Sequence, residues 1–193
     1  MQNLIDGYFD ELRRLADGVA ATDGEGRDVG IAEAIGWTIE SAKATHAAGN
    51  KLMFVGNGGS AAIAGHMAID YSKNGGLRAM AFNDGAALTC LGNDLGYDQV
   101  FACQIEWHAR PGDLLIAISS SGRSANILNA VAEARRRDCR ILTLSGFGAD
   151  NPLRRLGERN LYVASHEYGF VEISHLALCH SVLDLAMGWR PDR

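Results

Sequence analysis

The sequence predicts an α/β domain: a doubly wound, five-stranded parallel sheet flanked by helices. Three observations carry this. Five short apolar runs are bounded by turn residues, stretches with helical periodicity separate most of them, and a glycine-rich turn joins the first run to a helix. The 193 residues suffice for one domain with a sizeable core and leave little room for a second. No internal repeat, low-complexity tract or linker is found. Residues 1–193 therefore read as one domain, with N-terminal helices over 1–48 and an α/β core over 49–193.

Residues 1–20 place Leu4, Tyr8, Leu12 and Leu15 at helical spacing, and 30–48 do the same with Ile31, Ile35, Trp37 and Ile39. TDGEGRD (22–28) is a polar connector between them. Both helices stand outside the strand–helix alternation, and they are expected to pack largely on other subunits. KLMFV (51–55) is the first strand and leads into a helix over 60–73. LRAMAF (77–82) follows, then a helical stretch over 86–108 with a break expected at Gly96. DLLIAI (113–118), a helix over 123–137, RILTLS (140–145), NLYVA (160–164) and a closing helix over 172–187 complete the order.

The chain is 47% hydrophobic and 21% charged, with a formal net charge of −5. That composition is globular, and the acidic balance argues against a nucleic-acid partner. No 18-residue apolar run is present, and MQNLIDGYFDELRRL lacks the core of a signal peptide. A soluble cytoplasmic protein without a membrane partner is expected. Cys90, Cys103, Cys139 and Cys179 show no CxxC spacing and read as reduced, mostly buried thiols.

FVGNGGSAAIAGH (54–66) lays out a strand, a glycine-rich turn and a helix start. Gly56, Gly58 and Ala61 fit the relaxed dinucleotide fingerprint, which is weak alone; no Gly-Lys-Ser/Thr exists for a Walker-type loop. The second loop decides between these readings. DLLIAI runs into Ser119, Ser120, Ser121, Gly122 and Ser124 before a helix. Hydroxyls and free N–H groups at a helix N-terminus suit a phosphoryl dianion. One helix cap needs one serine, and four exceed that need. Two such loops at the carboxyl ends of parallel strands converge on one crevice, and their neutral donors suit a monophosphate.

GNGGSAA followed by histidine, CLGNDLGYDQVF (90–101) and ISSSGRSAN together resemble the sugar isomerase (SIS) domain family and, within it, the phosphoheptose isomerases. The resemblance covers essentially the whole chain. It implies a five-stranded parallel sheet, a homotetramer and active sites at subunit interfaces. It also implies that Ser60, Ser119, Ser121 and Ser124 hold a sugar phosphate, with Asn57, Gly58 and Ser120 adjacent. Asp94 either hydrogen-bonds substrate hydroxyls or caps a helix. Asp84 reads as a turn residue at a strand end.

Aldose–ketose isomerisation needs a base to move a proton between carbons and an acid/base to move one between oxygens; a metal can polarise the carbonyl. His66 and Asp70 stand at i and i+4 on one helix face, a spacing suited to two metal ligands. The resemblance makes Asp70 the carbon base, where the family has a glutamate, and His180 the acid/base. It implies a divalent metal, zinc by its N/O donors, held by His66, Asp70, Glu172 and His180. Glu172 stands where the family has glutamine. Eight helical residues, about 12 Å of axis, separate it from His180, so both reach one ion only if Glu172 precedes the helix or the side chains lean together. His175 reads as a structural histidine packed at an interface. Gly169 and Phe170 replace an acid and an arginine of the family, which leaves the reaction class in place and the sugar open. The rival from another class is a non-catalytic SIS protein of the DnaA-binding regulator type. Such a protein has no use for His66, Asp70, Glu172 and His180 together.

Overall fold

The computed structural model describes residues 1–191. Helix α1 (Gln2–Asp17) leads into strand β1 (Ala20–Asp23) and helix α2 (Ile31–Ala47). Then come β2 (Leu52–Gly56), α3 (Gly59–Lys73), β3 (Ala79–Ala81), α4 (Gly85–Asp94) and α5 (Ala102–His108). The chain closes with β4 (Leu114–Ser119), α6 (Ala125–Arg136), β5 (Arg140–Ser145), β6 (Arg159–Tyr162) and α7 (Tyr168–Ala186). The sheet order is β1-β6-β5-β4-β2-β3.

The five expected strands are the five parallel ones, β2 to β6. A sixth corrects the count: β1 pairs antiparallel with β6 at the sheet edge. It occupies Ala20–Asp23, within the span read as helix end and connector. AATD has neither a β-branched run nor an alternating apolar pattern, so only its pairing with β6 reveals it.

Alternation along the strands fills two apolar layers. Leu52, Phe54, Leu114, Ile116, Leu142 and Leu144 face α1, α2, α3 and α7. Met53, Val55, Leu115, Ala117 and Ile141 face α4, α5 and α6. Helix α2 buries Ala34, Ile35, Thr38, Ser41, Ala42 and Thr45 within its own chain, which corrects its expected packing on other subunits. Helix α1 differs, for Leu15 is its one buried residue. The break at Gly96 is present, with φ +94° there. By length and composition α7 could cross a membrane, at a mean hydropathy of 1.2. It is a core helix instead, burying Val171, Leu178, Val182 and Leu183.

The strand order positions the site. The chain passes from β2 to β3 on one side and returns to β4 on the other, so β2 and β4 are neighbours at the point of reversal. Their following helices go to opposite faces of the sheet, α3 to one layer and α6 to the other. The loops after β2 and β4 therefore diverge and leave a crevice at the carboxyl edge.

Candidate active site

A cleft of about 330 Å³ opens in that crevice, lined by Asn57, Gly58, Gly59, Ser60, Ser119, Ser120, Ser121, Ser124, Tyr168 and Glu172. Every residue expected at the phosphate is brought together here. Gly58 holds φ +54° at the N-cap of α3, and no side chain caps that helix. A Cβ at Gly56 would meet the Ser60 backbone, so the turn closes only on glycine. Ser124 occupies the N-cap position of α6, yet its side chain makes no capping bond. Its Oγ lies 3.4 Å from Ser119 Oγ, which accepts from Gly122 N at 3.2 Å. Ser121 Oγ accepts from Arg123 N at 3.2 Å. Two helix N-termini without side-chain caps thus face one cleft, an arrangement that favours an anion.

Three further residues shape the cleft. Asn57 and Asn126 exchange amide hydrogen bonds of 2.9 and 2.8 Å, fixing the first loop to α6. Tyr97 donates its hydroxyl to Asn57 Oδ1 at 3.1 Å. Tyr97 and Asn126 lie inside the quoted CLGNDLGYDQVF and ISSSGRSAN stretches, where they passed unremarked; Tyr168 carried no sequence signal. Asp94 is exposed at the end of α4 and does not line the cleft; it receives a hydrogen bond from Asn93 Nδ2 at 2.7 Å. Asp84 caps α4 by accepting from Ala87 N at 2.9 Å.

Farther along α3, a second cluster forms against α7. Asp70 Oδ2 lies 3.5 Å from His66 Nε2 and 4.0 Å from His180 Nδ1. One ligating atom from each residue falls within 4.8 Å of the other two. Bonds of ~2.1 Å in a tetrahedron put donors roughly 3.4 Å apart, so the spacing suits a small divalent ion. Three N/O donors are the protein share of a catalytic zinc site, which keeps one position open. Glu172 is not among them. Helix α7 begins at Tyr168, so Glu172 lies inside it, two turns before His180. Its carboxylate packs against Gly59, where a Cβ would collide with it. The expected fourth ligand is therefore a wall of the serine cleft.

His175, between them on α7, is fully buried, and its Nε2 donates to the Ser145 carbonyl at 3.1 Å. It is structural, as expected, but it packs inside its own chain rather than at an interface. Burial holds its pKa down at about 4. Phe170 serves packing, its ring 4.5 Å from that of Tyr8, and a Cβ at Gly169 would meet the Tyr8 hydroxyl only at an ordinary 3.5 Å contact. All four cysteines are free; burial pushes Cys139 and Cys179 up to about 12, whereas Cys90 is exposed.

The SIS-domain family profile matches residues 7–146. Over 144 residues the chain is 40% identical to a phosphoheptose isomerase of Akkermansia muciniphila, covering 72% of this chain and 76% of that one. A phosphoheptose isomerase of Geobacter sp. (strain M21) is 33% identical over 181 residues and 91% of each chain. The structure of phosphoheptose isomerase GmhA from Neisseria gonorrhoeae superposes with a TM-score of 0.82 at 30% identity, covering 96% of this chain and 98% of that one.

Proposed function

Because this chain belongs to the SIS-domain family and, within it, to the phosphoheptose isomerases, we propose that it interconverts sedoheptulose 7-phosphate and glycero-manno-heptose 7-phosphate. One observation carries the reading: a helix pair, α3 and α7, joins the serine cleft at one end to the His66–Asp70–His180 cluster farther along. His66 stands seven positions after Gly59, about 10 Å along the axis. An extended seven-carbon chain with its phosphate covers roughly the same length, at ~1.25 Å of advance per C–C bond.

The serines and the N-termini of α3 and α6 hold the phosphate and orient the open-chain sugar. Asp70 takes the C1 proton of the ketose; that electron pair forms C1=C2, and the carbonyl oxygen gains the charge. His180 carries the proton between O1 and O2, and Asp70 returns its proton at C2 to give the aldose. Asp70 Oδ2 faces the imidazoles, and Oδ1 is the lone-pair donor left for the proton. His66, Asp70 and His180 would hold a divalent metal, zinc by its donors, which polarises the carbonyl and stabilises the enediolate. A non-catalytic regulator would need the serine cleft and not this cluster.

Incubation with a panel of ketose phosphates, with and without chelator, tests the reading. Turnover should be highest on the seven-carbon substrate and fall on chelation. Ser121→Ala and Ser124→Ala should each raise KM about ten- to a hundredfold, the loss of one hydrogen bond to a charged group. Unchanged KM in both would reduce these serines to loop architecture.

The assembly we propose is a homotetramer working in the cytoplasm, a reducing compartment that suits four free cysteines. The Leu4–Tyr8–Leu12–Leu15 stripe is buried in its own chain only at Leu15; Leu4, Ile5, Tyr8 and Phe9 are exposed. Such a continuous apolar stripe marks an association face. Asp94, outside the cleft of its own chain, would reach substrate from a neighbouring copy. Sedimentation should show a tetramer at micromolar concentration that Phe9→Asp dissociates. A stable wild-type monomer there would refute it.

A further inference from the structure

A second cavity, of about 370 Å³, lies between β1 and the 3-10 turn Pro152–Arg155 and is lined by Thr22, Gly26, Asp150, Asn151, Arg154 and Arg155 among others. We propose that it binds a phosphoryl dianion, free or as the ester of a small metabolite, behind the loop that holds the substrate phosphate. Four features of its wall support this. Thr22 is 6% exposed, and its hydroxyl has no hydrogen-bond partner. A buried hydroxyl left unpaired is destabilising unless a ligand satisfies it. Arg154 is pre-positioned, its guanidinium 4.3 Å above the Tyr162 ring and its Nη1 donating to the Ala149 carbonyl at 2.8 Å. Arg155 makes no ion pair among the described residues. The one carboxylate in the wall, Asp150, is already engaged by Arg123 at 2.9 Å. Two guanidinium groups beside an unpaired hydroxyl, with the acid neutralised, recognise a phosphoryl group by charge and by forked hydrogen bonds.

The cavity adjoins the serine loop. The Asn151 side chain packs so closely on Gly122 that a Cβ there would collide with it. Leu153 N donates to the Gly122 carbonyl at 3.3 Å, and Arg123 of that loop is the partner of Asp150. An anion on Arg154 and Arg155 therefore bears on the segment that carries Ser121 and Ser124. Occupancy of either site should alter affinity at the other, by the same factor in both directions.

Isothermal titration of the full chain at low ionic strength, with inorganic phosphate and separately with glycerol 3-phosphate, tests the site. The expected result is two phosphoryl groups per chain. Thr22→Val and Arg155→Gln should each weaken the second one tenfold or more and leave the serine site occupied, whereas Ser121→Ala/Ser124→Ala should do the reverse. Tighter binding of the ester identifies a phosphorylated metabolite as occupant, and equal binding identifies free phosphate. One group per chain in the wild type, or two that both survive Arg155→Gln and Thr22→Val, overturns the proposal. Because the two sites are removed by different substitutions, its failure leaves the isomerase reading untouched.

Discussion

Asp70→Asn should reduce turnover by about 10²- to 10⁴-fold while moving the affinity for the sugar phosphate by less than threefold. The size follows from what a positioned general base contributes to a carbon proton transfer. The amide keeps the shape of the side chain and loses the lone pair that accepts the proton. Binding should persist because the phosphate site at the start of α3 is about three turns away, formed by groups that Asp70 does not touch. The loss therefore falls on kcat, the signature of an interaction made mainly in the transition state. His180→Gln should behave in the same way, through the proton that moves between O1 and O2. The two effects should be strongly non-additive, since Asp70 Oδ2 and His180 Nδ1 are 4.0 Å apart in one cluster. Asp70→Glu tests the reach. It adds one methylene, restoring the longer carboxylate of the family, in a site where Asp70 sits between His66 and His180 on a packed helix pair. Partial activity there with none in Asp70→Asn places the chemistry on the carboxylate. Near wild-type turnover in Asp70→Asn would move the base elsewhere.

What the sequence made legible was whatever rests on local pattern. Runs such as LLIAI (114–118) are apolar throughout because a parallel strand is buried on both faces, and β4 (Leu114–Ser119) opens on the same residues. The serine cleft could be read because each half has its own signature and the parallel fold brings the two strand ends together. His66 and Asp70 could be read because an i,i+4 pair needs no tertiary information. Three features lay beyond such reasoning. Strand β1 exists through its pairing with β6, and four residues with two alanines carry no pattern of their own. Glu172 turned on a boundary: once α7 starts at Tyr168, its side chain points at Gly59 and two turns of helix separate it from His180. The packing of α2 turned on faces, since its periodicity shows an apolar stripe without saying whose surface covers it. Glu172, where the family resemblance implies glutamine, puts a carboxylate beside the serine cleft, and among the described residues no cationic side chain lines that cleft to offset it. Local pattern therefore located the serine cleft and the His66–Asp70 pair, while the third dimension brought His180 to that pair and set Glu172 against the cleft.

Acidification from pH 6.5 to pH 4 should cost the folded chain about 3 kcal/mol through His175 alone. The imidazole is fully buried on α7, with Nε2–H donated to the Ser145 carbonyl and Nδ1 left without a partner. Protonation would place a charge and a second N–H where no acceptor exists, so burial lowers the folded-state pKa from 6.5 to about 4. In the unfolded chain the same ring binds its proton near pH 6.5. Between these values the unfolded state holds more protons, so stability falls as pH drops through the window and is fully present above it. A gap of about 2.5 pKa units is worth about 3 kcal/mol at its limit, and about 2 kcal/mol of that is lost by pH 5. Carboxylates held low by arginine, such as Glu33 beside Arg159, lose their contribution only as pH falls below the ordinary carboxylate range. The interval from pH 6.5 to 5 therefore reports mainly on histidine. Urea unfolding at fixed protein concentration, compared between wild type and His175→Gln, isolates the effect. The glutamine can keep a donor to Ser145 and cannot take a proton, so its stability should be nearly flat where the wild type slopes. Because His175 holds α7 to the end of β5, the segment loosened by acid is the one that positions Glu172 and His180, and activity should fail along with it. Equal slopes in the two proteins would show that His175 is protonated in the fold as readily as outside it.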